Sequence, residues 1–177
     1  MDYDKSAGGI LMPKQQLLVG GAYSGQIIRN GEVIDEFEDH NLIVDEGLNA
    51  LNDIMFHGST QVGTWYLGVF EANYTPVSSV TAATIASAAT ECTAYDETTR
   101  QEYQEAASAS KVTTNAANKA TFTFNATKTI YGAFLVSTST KGGTSGTLFS
   151  AAKFGSAKSV VSGDQLLLTY AFTSSSV

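Results

Sequence analysis

Side chains capable of chemistry are present in this sequence, but their spacing does not assemble them. The densest group is acidic: Asp35, Glu36, Glu38, Asp39 and Asp45 fall in one short stretch. Oxygen ligands at that density are what a hard cation such as Ca2+ requires. The stretch lacks the ligand spacing and turn glycine of an EF-hand loop, so no metal site is expected. His40 and His57 show no HExxH pattern, and each reads as a turn or helix-end residue. Glu97, Glu102 and Glu105 would supply paired carboxylates for glycoside hydrolysis, but an acidic chain always offers such pairs. No G-x-S-x-G elbow accompanies the abundant serines. Cys92 is the only cysteine, has no identifiable base partner, and reads as a small buried hydrophobe. Gly142-Gly143-Thr144-Ser145-Gly146 lacks the lysine of a phosphate loop and reads as a turn. The chain is expected not to be an enzyme and to need no cofactor.

Composition bounds the rest. With 177 residues and 43% apolar content, one domain with a proper core and a short appendage is expected. Charged residues make up only 15%, so Ser, Thr, Asn, Gln and Gly must cover much of the surface. Such a surface suits a chain in contact with copies of itself or another protein, and it is also ordinary for a Ser/Thr-rich sandwich. A lone cysteine excludes an intrachain disulfide. Met1 to Lys5 lack the basic and then apolar regions of a secretory signal, so cytoplasmic synthesis is expected. No apolar run reaches transmembrane length, and no basic stripe suits nucleic acid.

Charge is split along the chain. Asn30 to Thr99 hold twelve acids and no base, a formal −12, against +5 for the remainder and −7 for the whole. Either the two halves meet between neighbouring subunits, or the signs mix on folding.

The elements that must position these groups are mainly strands. Thr121 to Phe124 alternate apolar and polar residues, the period of a half-buried strand. Thr129–Val136, Thr147–Phe154 and Gln165–Phe172 are rich in β-branched and aromatic residues, separated by glycine-marked turns. Ala22 to His40 read as a hairpin about Asn30-Gly31, the preferred pair for a type I′ turn. One helix is expected from Asp45 as N-cap, with Leu48, Leu51, Ile54 and Met55 forming an apolar face and Gly58 ending it. That helix should plug one side of the sandwich. Thr64 to Phe70 form an apolar strand whose Trp65 should be largely buried, and Gln101 to Tyr103 begin another. Residues 80–94 fit helix or loop, and Ala106 to Asn118 read as a surface connection.

The fold class expected is mainly β: an antiparallel β-sandwich, jelly-roll-like, with one short α-helix and an extended N-terminal arm. Residues 1–21 form that arm and residues 22–177 the β-sandwich domain. In the arm, Gly8-Gly9, Pro13 and Gly20-Gly21 break any helix. Ile10, Leu11, Met12, Leu17 and Leu18 are too apolar for a solvated tail and are taken as partner-binding residues.

The segment His40–Asn49, followed by Trp65–Phe70, resembles a pattern common in virion structural proteins of tailed bacteriophages. So does the later series Thr129–Val136, Gly142–Leu148 and Val160–Leu166. The resemblance covers roughly residues 22 to 172. It implies a capsid decoration (cement) protein or a tail or tail-fibre component active in host attachment. A short chain without heptads or fibre repeats favours cement. The implied partners are the major capsid protein and the chain itself, as a homotrimer, on the capsid surface of the virion. Neither nucleic acid nor membrane is an expected partner.

Overall fold

The structure, a computed structural model, describes residues 3–5, 11–13 and 16–176, with side chains described from residue 16 onward. Twelve strands and two helices occur among them. In chain order they are β1 (Tyr3–Lys5), β2 (Leu11–Pro13), β3 (Leu17–Arg29), β4 (Glu32–His40) and β5 (Leu42–Ile43), then α1 (Asp45–Phe56), β6 (Tyr66–Phe70) and α2 (Ala82–Ala88). The remainder are β7 (Gln101–Glu102), β8 (Val112–Thr114), β9 (Ala120–Thr123), β10 (Lys128–Val136), β11 (Leu148–Val160) and β12 (Gln165–Ser176).

Two antiparallel sheets dominate. Sheet I has the order β4-β3-β12-β8, with β9 also pairing with β12. Sheet II has the order β5-β11-β10-β6-β7, while β1 and β2 pair only with each other. The chain passes from sheet I to sheet II at Asn41, whose N–H donates to the Gly21 carbonyl. Asn30 and Gly31 adopt φ of 53° and 83°, which is the left-handed pair a type I′ hairpin turn needs.

Alternation along the strands builds the sandwich-like core. Tyr23, Ile27, Phe122, Leu166, Leu168 and Tyr170 from sheet I pack against Leu67, Val69, Ile130, Ala133, Leu135 and Phe154 from sheet II. A register shift between Ile130 and Gly132 lets both Ile130 and Ala133 face this core despite their odd spacing. The alternate residues of sheet II form a second buried layer, in which Phe70, Phe134, Val136 and Ala151 meet Val44, Val80 and Ile85. Sheet II is therefore covered on both faces.

Several expectations change. Among the described residues there are two helices rather than one, because residues 82–88 resolve as α2. Its N-terminus is fixed by Thr84, whose Oγ1 accepts a hydrogen bond from the Thr81 N–H at 3.1 Å. Val44, not Asp45, is the N-cap of α1, and Asp45 is its first residue. The buried Val44 stays extended and accepts the first helical bond from Leu48 N–H, so no side-chain cap forms. Helix α1 does not plug the sandwich: only Gly47 is buried, while Met55 and Phe56 are 69% and 84% exposed. Trp65 is half-buried rather than enclosed. The connection 106–118 contains β8. Of the expected arm, residues 17–21 are the first part of β3, paired with β12 out to Ser176. Among the described residues, no helix is long and apolar enough to cross a membrane.

Candidate interaction surface

Folding scatters the acidic groups instead of gathering them. Asp35 lies 3.0 Å from Lys158, and Asp39 accepts the Gly155 N–H at 2.8 Å. Glu97 accepts the Thr123 N–H, while Glu102 and Glu105 are exposed. His40 ends β4 and His57 caps α1. Among the described residues, no three His, Cys, Asp or Glu side chains group closely enough to hold a metal ion. Cys92 is fully buried, and burial pushes its thiol up to about 12, far from the range of a nucleophile.

The charge split along the sequence does not survive as two halves. Lys128 pairs with Glu71 at 2.9 Å, Lys158 with Asp35, and Arg100 with Glu91 at 2.7 Å. Each pair takes its acid from the acidic stretch and its base from outside it. Arg100 is the least exposed of these cations. It also donates to the carbonyls of Thr138 and Gly143, so it clamps the turn that follows β10.

What the fold leaves open is apolar. At one end of the sandwich, a groove of about 310 Å³ runs between the two sheets and α1. Phe172, Tyr170 and Thr113 supply the sheet I wall, while Trp65, Leu135 and Phe149 supply the sheet II wall. Ala50, Leu51 and Ile54 of α1 close one side, and Glu105 and Gln61 stand at its margin. The aromatic rings form a chain: Trp65 meets Phe149 edge-on at 5.5 Å, and Phe149 meets Phe172 at 5.6 Å. Deeper in, Tyr103 and Tyr170 are edge-on at 5.7 Å, and Tyr170 stacks obliquely on Tyr23 at 4.6 Å. The phenols at the base are already engaged. Tyr23 OH shares a 2.8 Å hydrogen bond with Ser150 Oγ, Tyr103 donates to the Thr113 carbonyl, and Tyr170 accepts from Asn41. Burial pushes all three phenols up, so they stay neutral. The groove thus offers ring faces and edges, with the Glu105 carboxylate among its lining groups.

Beside the groove, β3 and β12 run on as a paired ribbon, with β8 alongside β12 as far as Thr173. Gly21 pairs with Phe172, Val19 with Ser174, and Leu17 with Ser176. These rows continue the inward-facing series of Tyr23–Tyr170 and Ile27–Leu166. Leu17 is nonetheless 71% exposed, although it occupies a core-facing register. Leu18, on the other face, is 50% exposed.

Of the residues expected to bind partners, Leu17 and Leu18 therefore stand together at the ribbon end. Leu11 and Met12 lie in β2, where only the backbone is described, and Ile10 lies outside the described residues. Sequence reasoning missed Phe149 and Phe172 as surface groups because each sits in an ordinary strand pattern. Their opening to solvent depends on where the opposite sheet stops. The surface can bury apolar side chains and order a partner against aromatic rings. No protein-family model and no curated protein sequence matches this chain.

Proposed function

We propose that this chain is a non-enzymatic assembly protein of the tailed-phage virion, a decoration (cement) protein that binds the outer surface of the head and stabilises contacts between capsomers. The observation that carries the reading is the open apolar end of the sandwich, where Leu17 stands beside the groove lined by Trp65, Phe149 and Phe172, and Leu18 is exposed on the other face of the same ribbon. Burying each leucine side chain is worth about 1.5–3 kcal/mol. That is modest for one chain and large when a homotrimer engages a repeating lattice, because each further contact forms at high effective concentration. The sequence resemblance and the low charge point the same way. In this reading the body is jelly-roll-like, residues 1–21 act as its arm, and the partner is the major capsid protein.

The test is co-sedimentation with expanded capsids. A Leu17→Asp/Leu18→Asp double variant should lose at least tenfold in capsid affinity while keeping its fold. Undiminished binding would remove the ribbon from the contact, and no binding by the unaltered chain would remove the cement reading itself.

A second reading, a tail component in host attachment, is favoured by one feature. The turn at Lys141–Gly146 is held rigid at an exposed edge by Arg100, and Lys141 Nζ donates to the Tyr95 carbonyl at 2.7 Å. Binding of the purified protein to host cells, abolished by substitutions in that turn, would support it.

A further inference from the structure

The sandwich is unfinished at one end, and what is missing has the chemistry of the chain's own ribbon. Two inward-facing rows of sheet I lie beyond Phe172, and among the described residues Leu17 there is 71% exposed while Val19 is half-buried. The ribbon cannot fold back to fill the groove of its own chain, because it is the continuation of one groove wall and is held straight by an unbroken ladder from Gln165 to Ser176. We propose that a second copy of this chain covers the groove, laying the Leu17–Val19 end of its ribbon against Trp65, Phe149 and Phe172. Each copy carries both an exposed apolar ribbon end and, among the described residues, an open apolar groove, so the same contact can be repeated from copy to copy around the homotrimer.

Charge supports the same occupant. Lys111 stands beside the ribbon, its carbonyl accepting the Ser174 N–H at 3.1 Å in the row of Val19. Glu105 stands at the margin of the groove. Both are exposed, and among the described residues neither makes an ion pair. A ribbon seated in a neighbour's groove brings the lysine of one copy towards the glutamate of the other. The inference deepens the assembly reading by giving Leu17 and the groove to a second copy and leaving Leu18, on the other face of the ribbon, for the capsid, and self-association is measured without any capsid. A chain that self-associates but ignores capsids would keep this inference and sink the other. A monomer that binds capsids would do the reverse.

The only tryptophan lies in the groove, so its emission reports whether the groove is covered. Sedimentation equilibrium and Trp65 fluorescence would be followed together from micromolar to hundreds of micromolar full-length chain. The expected result is a mass that rises with concentration while the emission shifts to the blue. The Leu17→Asp/Val19→Asp variant should stay monomeric and red-shifted, with circular dichroism confirming the fold. Because that variant acts on a strand, an independent pair of exposed substitutions serves beside it. Glu105→Lys should weaken association at least several-fold, and adding Lys111→Glu should restore it. A monomer with constant, solvent-exposed emission overturns the proposal. So does association that survives Leu17→Asp/Val19→Asp, or that leaves Trp65 unchanged. A monomer with blue emission at every concentration overturns it in favour of the residues that precede the ribbon. A double charge reversal as weak as Glu105→Lys alone overturns the assigned seating.

Discussion

Arg100 grips Glu91 with two hydrogen bonds, Nε to Oε1 at 2.9 Å and Nη2 to Oε2 at 2.7 Å, and both side chains are almost fully enclosed. The guanidinium also stands 5.2 Å from the centroid of the Phe134 ring, and Glu91 accepts the Gly142 N–H at 3.0 Å. Removing one partner leaves the other charge buried and alone. Arg100→Ala should therefore cost about 3–5 kcal/mol in equilibrium denaturation. Replacing both members with apolar residues, as in Arg100→Met/Glu91→Leu, should cost clearly less than the single change. Equal losses would mean that the backbone bonds to Thr138 and Gly143, and not the charge pair, hold this region.

Phe70 and Gly132 are direct cross-strand partners, and so are Gly68 and Phe134 in the same pair of strands. Each aromatic ring lies over the glycine opposite. A Cβ on Gly132 would fall well inside contact distance of both the Phe70 ring and the Ala152 carbonyl oxygen. A ring can tilt, but a carbonyl in a paired strand cannot leave without breaking the ladder. Gly132→Ala should thus destabilise by about 1–3 kcal/mol, the cost of overpacking. Gly20→Ala, where nothing lies within 4 Å of the added carbon, is the matched control and should be near neutral. Thermal melts of the two variants side by side decide the matter.

Local chemistry was the legible part of this sequence. Asn30-Gly31 carries its own turn geometry, and Gly58, with φ of 74°, follows the end of α1 where its type predicts. The strands around Phe134, Phe154 and Leu168 announced themselves through β-branched and aromatic runs. Helix α2 did not, because its capping partner at the third position is Thr84 rather than a glutamate, and seven residues hold scarcely two turns of periodicity. The ion pairs were illegible for another reason. Lys128 and Glu71 are far apart in the chain and meet only through the sheet. The groove is the extreme case, since Trp65 directly precedes β6 while Phe149 and Phe172 lie in β11 and β12. Whether they are core or surface is decided by how far each sheet extends.

Asp164 sets a pH dependence. Arg29 donates to both its oxygens, at 2.9 and 2.7 Å, and the Val161 N–H donates to Oδ2 at 2.8 Å. Chiefly the hydrogen bonds from Arg29 hold its carboxyl below the usual carboxylate range. A group whose folded pKa is depressed binds its proton more readily in the unfolded chain. Its contribution is thus complete above the ordinary value near 4 and is lost as pH falls through the lower folded value. Arg29 is 38% exposed and can turn to water, so the contribution is small. Asp164→Asn should cost about 1–2 kcal/mol at pH 7. The gap between the two proteins should close on acidification from pH 4 towards pH 2, read by urea denaturation across that range. A gap that stays constant to pH 2 would show that the carboxylate charge contributes nothing.

Glu46 is the joint on which α1 depends. One carboxylate oxygen, Oε2, accepts the Ala82 N–H at 2.8 Å and the Leu148 N–H at 2.7 Å. It thereby ties the first turn of α1 to the start of α2 and to the start of β11. Next to it, Gly47 lies so close to β11 that a Cβ there would overlap the Phe149 backbone, with 2.8 Å to its Cα. The close approach and the shared carboxylate fix the height of α1 over the groove, where Leu51 and Ile54 form one side. Glu46→Ala strands two backbone donors at once, and the expected loss is about 2–4 kcal/mol, since each unmet buried group costs roughly 1–3 kcal/mol. Hydrogen exchange should speed up selectively at Ala82 and Leu148, ahead of the central strands β3 and β12. Uniform acceleration across the molecule would mean that the carboxylate supports the whole fold and not this joint. Retained protection at both amides would mean that water or a neighbouring oxygen replaces it, leaving the close packing of Gly47 on Phe149 to hold α1 in place.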